Sequence, residues 1–545
     1  MNLLTLYKKE STISGNLVLT MALISGTFQG LILGIITNAA SAGTKDSWYI
    51  RYLFLFAISF AIAVIGKRHA LTESTRIAEI VINRIRVRIA DKIRDSELLF
   101  LENIGKSEIY TLITQNTNLI SESVVVIINA CQSGIVLIFC LFYLGYLSKL
   151  AFFTTVLAIS AGIFSFMLHQ KEIDSELRET TLKETKFFEL LYNTLDGFKE
   201  LKMNRKKSDD YFGFLKVVAE ETEKLKIRTG FRFVTEIMFS QVFFYTLLAI
   251  IVFLLPKFDY ISGSILIKVT TAVLFIIGPA NMVVSAIPLI SRANIAVENI
   301  YSLEKRLDEA SKPYKVERTS PVRKITSFEK IDFENLNFSY LDANNTPLFT
   351  LGPLNLSVKQ GETIFIVGGN GSGKSSLMKL LAGLYYPASG NIILDGSTQI
   401  NKVTYPAYRE LFSVIFGDFH LFDKLYGLDD IDEDQVFKLL KIMQLDRKTE
   451  FIDRGFTNTN LSTGQRKRLA MIVALLEKRP ICLFDEWAAD QDPIFREFFY
   501  TTLLQQMKQD GKTVIAVSHD DRYFSFADRI IKMEYGKFVD VVGKV

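Results

Sequence analysis

Between Thr363 and Leu381 the chain reads TIFIVGGNGSGKSSLMKLL, and its residue types and spacing suit phosphate chemistry. An apolar, β-branched run, Ile364–Val367, reads as a buried parallel strand. It breaks into Gly368, Gly369, Asn370, Gly371, Ser372, Gly373, Lys374 and Ser375, and from Ser376 the pattern is that of an opening helix. This is G-x-x-x-x-G-K-[ST] in a strand–loop–helix context. Phosphate oxygens can meet several backbone N–H groups at once only where the backbone curls close, which glycine permits without Cβ clashes. The helix N-terminus adds favourable positive potential. Lys374 is expected to reach the β- and γ-phosphates of ATP and the Ser375 hydroxyl to ligate Mg²⁺. A glycine-rich turn before an ordinary helix is the plainer alternative, disfavoured because motif and context agree.

Further pieces fall around this loop. Phe333–Tyr340 alternates as a strand and ends in an aromatic that could stack on adenine. Ile481–Phe484 reads as a buried strand ending in Asp485-Glu486. Asp485 is placed to hold Mg²⁺ through water, and Glu486 to orient and deprotonate the attacking water. A lone apolar run ending in Asp-Glu is weak; downstream of a phosphate-binding loop it is strong. Val514–His519 is another strand end, bringing an imidazole to where a γ-phosphate would lie. Leu461-Ser462-Thr463-Gly464-Gln465-Arg466 precedes Asp485.

The elements that must position these groups divide unevenly. The 545 residues have a mean hydropathy of +0.22 and 12% aromatics, high for a soluble protein, and the apolar excess sits in the first 300. A net charge of +4 makes no electrostatic case for nucleic acid as partner. The three cysteines, Cys131, Cys140 and Cys482, read as reduced structural thiols. MNLLTLYKKES carries no short apolar region with a cleavage site, so the first long apolar run is expected to stay as a span.

Six segments reach the length that a bilayer crossing requires: Leu17–Ala40, Tyr52–Gly66, Ser123–Leu144, Leu150–Leu168, Ile237–Leu255 and Ile265–Ile290. The second is short unless it borrows from Tyr49-Ile50 or runs past Lys67. The short connections carry few basic residues, whereas Lys67–Glu122 and His169–Glu236 hold Arg84, Arg86, Arg88, Lys92, Arg94, Arg205, Lys206 and Lys207. The positive-inside rule makes those long segments cytoplasmic, with the N-terminus bearing Lys8 and Lys9. Ile77, Ile80, Val81, Arg84, Ile85, Arg88 and Ile89 keep helical spacing, and neither long segment contains proline. Both are therefore expected to be helical extensions of the spans. Pro279 and Pro288 fall in the last span, where a proline kinks the helix. Asn38, Asn129, Gln132, Gln241 and Asn281 are polar groups in or beside apolar runs, suited to a solute cavity or to interhelical hydrogen bonds. Lys268 is expected to snorkel to the outer interface. The expected organisation is a six-span α-helical membrane domain with long cytoplasmic extensions over residues 1–300. A linker follows over 301–327, then an α/β nucleotide-binding domain over 328–545.

Taken together these motifs resemble the ATP-binding-cassette transporters, as a half-transporter of the exporter type. Leu461–Gln465 is similar to the LSGGQ signature, Tyr340 to the A-loop aromatic, His519 to the switch histidine and Asp492 to the D-loop aspartate. The segments 100–109 and 196–202 resemble the two intracellular loops that form coupling helices. The resemblance implies catalytic roles for Glu486, His519 and Lys374 and metal ligation by Ser375 and Asp485. It implies nucleotide contacts from Tyr340, Gly368–Ser376, Ser462, Gly464, Gln465 and Asp492. Phe484–Pro493 (FDEWAADQDP), Phe416–Phe422 (FGDFHLF) and the short stretch between there and the signature are most similar to the cyclic-peptide exporters. That group moves siderophore precursors such as the pyoverdine peptide, lipopeptides such as syringomycin, and some microcins.

One phosphate-binding loop and one signature per chain imply a homodimer with two head-to-tail ATP sites, which drives alternating access in a bacterial inner membrane. Export is favoured because the membrane part precedes the cassette. A lipid flippase or multidrug exporter of the same fold is the alternative. Two departures matter: Gly417 stands at the Q-loop glutamine, and Thr463 replaces the first signature glycine. They leave open an ATP-gated regulator that does not transport.

Overall fold

The computed structural model describes residues 3–10, 16–42, 49–258, 263–311, 325–342 and 344–543. It separates into two compact units, Met1–Ser96 with Phe100–Ala310, and Glu97–Leu99 with Ser311–Val545.

Among the described residues the first unit is helical apart from short joints. After a short α1 (Leu3–Glu10) come α2 (Asn16–Ala42), α3 (Tyr49–Asp95), α4 (Leu98–Ile104) and α5 (Lys106–Leu147). They are followed by α6 (Lys149–Asp196), α7 (Phe198–Met203), α8 (Arg205–Ala249), a π turn (Ile250–Leu254), α9 (Leu255–Phe258) and α10 (Gly263–Ser311). A bilayer core offers the backbone no water, so helices that satisfy their own N–H and C=O groups are the natural solution for apolar runs. Among the described residues, five helices, α2, α3, α5, α8 with its π turn and α10, are long and apolar enough to cross. The expected fourth span, Leu150–Leu168, lies within α6, whose apolar run among the described residues is Lys149–Phe164.

The expected second span is neither short nor separate. It is the first part of α3, whose 47 residues extend about 70 Å at 1.5 Å per residue, more than twice a hydrocarbon core. The change of environment is visible along that one helix. Leu53, Phe54, Ile58 and Ile65 are exposed in its apolar half, while Ile77, Val81, Ile82, Ile85 and Ile89 are buried in its charged half. The two long basic segments are thus helical as expected, interrupted only around α4 and α7. Gly105, at φ +80, ends the first interruption and Gly197 opens the second. Helix α10 continues unbroken through Pro279 and Pro288 and on to Ser311, into residues expected to be linker. The rest of that linker, with Pro313 and Pro321, lies outside the described residues.

Glycines and polar pairs set the helix contacts. A Cβ at Gly26 would lie 2.9 Å from Ile135, and one at Gly30 would lie 2.6 Å from the Phe139 ring, so α2 and α5 approach as only small residues permit. Gln132 donates to Ser25 Oγ at 2.8 Å and to Gln29 at 3.1 Å, and Thr37 and Tyr143 share a hydrogen bond of 2.6 Å. Lys268 Nζ donates to Asn38 Oδ1 at 2.8 Å. Asn129 and Asn281 differ, each keeping a buried amide oxygen without a partner among the described residues. In the charged half, Arg88 bridges Glu10 at 2.7 Å and Glu304 at 2.8 Å, tying α1, α3 and α10 together.

The second unit is α/β. Its strands are β1 (Lys330–Leu341), β2 (Pro347–Lys359), β3 (Thr363–Gly368), β4 (Ser389–Leu394), β5 (Thr398–Gln399) and β6 (Phe412–Ile415). They continue with β7 (Phe451–Ile452), β8 (Gly455–Phe456), β9 (Ile481–Phe484), β10 (Thr513–Val517), β11 (Arg529–Glu534) and β12 (Lys537–Gly543). The helices are α11 (Lys374–Leu381), α12 (Tyr405–Arg409), α13 (Glu433–Ile442), α14 (Thr463–Leu476), α15 (Pro493–Phe498) and α16 (Leu504–Gln509). One sheet runs β12-β11-β3-β10-β9-β6, parallel except for β12; the other, antiparallel, runs β2-β1-β4-β5. Being covered on both faces, β3, β9 and β10 are continuous apolar runs rather than alternating ones.

Substituting Gly30→Val should force Phe139 aside and cost about 1–3 kcal/mol, seen as a lowered melting temperature of the purified protein. Gly162→Ala, where nothing lies within 4 Å of the added Cβ, should not lower it.

Candidate active site

Three neighbouring parallel strands deliver the chemistry to one sheet edge. Residue Val517 of β10 pairs with Ile366 of β3, and Ala516 pairs with Phe484 of β9. The carboxyl ends of these strands therefore bring the glycine loop, His519 and the Asp485-Glu486 pair together, as the geometry of open parallel sheets favours.

Within the loop, Gly368 has φ +155, and a Cβ there would lie 2.3 Å from the Met533 carbonyl and 2.9 Å from Ser372 Oγ. Gly373, at φ +101, would clash similarly with Phe349 and Leu351 at 3.0 Å. Gly369, Asn370 and Gly371 form the exposed tip. Lys374 is buried and folds back, its Nζ donating to the Gly368 and Gly369 carbonyls at 3.0 Å each. Ser375 hydrogen-bonds Asp485. Ser376 Oγ lies 3.0 Å from the Tyr340 hydroxyl, which also donates to Tyr385 at 3.2 Å. The Tyr340 ring meets Phe338 and Tyr385 edge-on.

Burial pushes the Asp485 carboxyl above its ordinary value. The Glu486 charge adds to this, while the Ser375 hydroxyl, the Gly417 N–H and the Lys374 ammonium oppose it. Among the described residues, Asp485 Oδ1 and Ser372 Oγ are buried with no partner. An orphaned carboxylate oxygen suits a hard cation, and an orphaned hydroxyl, an ammonium and a helix N-terminus offer donors to a triphosphate, so these residues fit ATP with Mg²⁺. Glu486 Oε1 lies 3.0 Å from His519 Nε2, each side chain being about half exposed. At Gly417 a Cβ would come no closer than 3.9 Å to Asp485 Oδ2; the position offers its backbone N–H and open space where a glutamine was expected.

The signature residues face other tasks. Ser462 is the N-cap of α14 in a capping box, its backbone N–H donating to Gln465 Oε1 at 3.3 Å. Thr463 is exposed at the first helical position. A Cβ on Gly464 would lie 2.7 Å from the Asp490 carbonyl, and its own carbonyl accepts from Gln491 at 3.1 Å. Asp492 caps α15 by accepting from the Phe495 N–H at 2.9 Å and pairs with Arg468. That N–H chiefly, with the Arg468 guanidinium, holds its carboxyl below the usual range. Among the described residues, the hydrogen bonds of Ser462, Gly464 and Gln465 stay within α14 and the segment 486–492.

Sequence reasoning missed Lys467, Arg468, Gln491 and Arg496. Arg468 also donates to Gln491, and Arg496 donates to the Ala488, Ala489 and Gln491 carbonyls. Arg466-Lys467-Arg468 looks like a solvated basic run. The one available signal is helical phase, since Lys467 and Arg468 share the buried side of α14 with Met471 and Ile472.

The family model described as ABC transporter matches residues 351–489. "ATP-binding protein SyrD" of Pseudomonas syringae pv. syringae is 31% identical over 542 residues, covering 95% of this chain and 94% of that protein. An ATP-dependent lipid A-core flippase of Neisseria meningitidis is 31% identical over 223 residues, covering 39% of this chain and 35% of its own length. Among solved structures, a bacterial Atm1-family ABC exporter with ATP bound superposes with a TM-score of 0.78 at 17% identity, covering 97% of this chain and 94% of that one.

If Asp492 acts as a cap, Asp492→Ala should lower stability by about 1–2 kcal/mol, and Asp492→Asn, which keeps the capping oxygen, by clearly less. Thermal unfolding of the two variants beside the parent measures the difference.

Proposed function

The chain belongs to the ABC transporter family, and we propose that it is an exporter of a peptide or peptide-derived metabolite, working as a homodimer of two half-transporters. Membrane embedding, an exporter-type fold and ATP hydrolysis come with the family. The cargo, the dimer and the residue roles are this proposal. Its carrying observation is the convergence of Lys374, Asp485, Glu486 and His519 at one sheet edge, in the same chain as a bundle of bilayer-length apolar helices.

In this reading Glu486 takes a proton from the attacking water at its carboxylate, and His519, now its partner at 3.0 Å, contacts the γ-phosphate. Lys374 exchanges two neutral carbonyls for phosphate oxygens, a stronger, charge-assisted pairing. Ser375 and Asp485 would hold Mg²⁺, which supplies charge neutralisation at the β- and γ-phosphates. Ser462 is exposed at the start of α14, so its hydroxyl could donate to nucleotide held by a second copy while its oxygen caps the helix. Two-fold symmetry then gives two equal sites.

The cargo assignment rests on the likeness of Phe484–Pro493 and Phe416–Phe422 to the cyclic-peptide exporters. A bacterial inner membrane is part of this proposal, on the expectation that both termini lie inside and on the few basic residues in the short outer connections. Domain limits of 1–300, 301–327 and 328–545 belong to this proposal also.

ATPase turnover of the purified protein in lipid, beside Glu486→Gln, with and without a panel of cyclic peptides, tests it. The variant should lose about 100-fold or more of its turnover, and a peptide should raise that of the parent. Stimulation by lipids or lipophilic drugs alone would replace the cargo assignment. Parent turnover no higher than the variant's would point to an ATP-gated regulator disabled through Gly417 and Thr463.

A further inference from the structure

Glu486 occupies φ +51, ψ 35, a left-handed backbone conformation that residues with a Cβ keep only where their surroundings hold it. Its carbonyl accepts from the Ala489 N–H at 3.3 Å and, at 2.7 Å, from Nζ of Lys467 on α14. The Lys467 side chain is almost wholly buried, and the same ammonium lies 2.7 Å from Asp490 Oδ2. Trp487, fully buried, donates its indole N–H to the Lys467 carbonyl at 2.8 Å. Three bonds thus join the turn 486–490 to one residue of the signature helix.

We propose that Lys467 is a positioning residue for Glu486: its ammonium fixes the Glu486 carbonyl, and through it the backbone angles that aim the carboxylate. The proposal rests on the reading of Glu486 as the base. A buried ammonium is costly unless fully paired, so packing alone is better served by an apolar side chain. What an ammonium adds is a short, charge-assisted bond of fixed direction. If Glu486 leaves the left-handed region, its carbonyl swings off Nζ and its carboxylate swings off His519, because the same φ and ψ set both. Lys467 touches no reacting atom. It lies on the helix that Ser462 caps, so a shift of that helix reaches the base directly.

The test is a double-mutant cycle of MgATP turnover by the full protein in lipid. Lys467→Met keeps the stem and removes the charged donor. It should lower kcat about ten- to a hundred-fold with KM within about two-fold, as expected for a lost charged hydrogen bond felt only in the chemical step. In the Glu486→Gln background the same change should leave the residual turnover unaltered, because no base remains to be aimed. Asp490→Asn, at a half-exposed side chain where folding is not at stake, should lower kcat about two- to five-fold and be equally silent with Glu486→Gln. If Lys467→Met does not fold, the Asp490→Asn cycle decides. A kcat unchanged by either substitution, a parallel rise in KM, or losses that multiply with Glu486→Gln would overturn the proposal. Full turnover in Glu486→Gln alone would instead remove the base reading and this proposal with it, a result separable from a silent Lys467→Met.

Discussion

A phosphate-binding loop works only if consecutive backbone N–H groups stay turned toward one point, and here that curvature is enforced from behind by the C-terminal hairpin. The Gly536 N–H, in the turn between β11 and β12, donates to the Ser372 carbonyl at 2.9 Å, and the Gly536 carbonyl accepts from Gly352 at 2.8 Å. A Cβ on Gly536 would lie 2.2 Å from the Thr350 carbonyl, and one on Gly368 would lie 2.3 Å from that of Met533. Backbone from β2, the loop and the terminal hairpin therefore interlocks where no side chain fits. The loop is preorganised by chain lying far along the sequence, so ordering it does not fall on the ligand.

Much of this was legible beforehand, for physical reasons. A loop that wraps phosphate needs glycine, lysine and serine at fixed spacing, and strands buried on both faces need unbroken apolar runs. Ile364–Val367, Ile481–Phe484 and the strand before His519 could hardly be read otherwise. Bilayer-length runs are equally constrained, although the second span hid its length. Its apolar stretch ends near Gly66, but helix formation depends on backbone hydrogen bonding and not on hydropathy, so α3 continues to Asp95.

What could not be read is partner choice. Asn38 and Lys268 lie far apart in sequence, yet they pair in a membrane helix bundle, where a lone ammonium is expensive. Gly417 advertises a missing side chain, but its N–H to Asp485 depends on tertiary placement. The basic triplet at 466–468 gives no hint from composition that two of its members turn inward. Spacing encodes periodicity and loop chemistry; which polar group meets which is decided by the packing of helices against strands.

This distinction bears on how the signature should be understood. Gly464, Gln465 and Asp492 resemble nucleotide contacts, yet each has a task in its own chain: close approach to the Asp490 carbonyl, capping of α14, and capping of α15. The helix that presents Ser462 outward is therefore held by the turn that carries Glu486, through Gln491 to Gly464, Arg468 to Asp492 and Lys467 to Glu486. Several short bonds thus join helix and turn. If Ser462 meets nucleotide as proposed, a shift of α14 would reach the carboxylate that faces His519 through these bonds. A motif that binds at one surface and adjusts chemistry at another needs no added relay, only a joint too well bonded to slip.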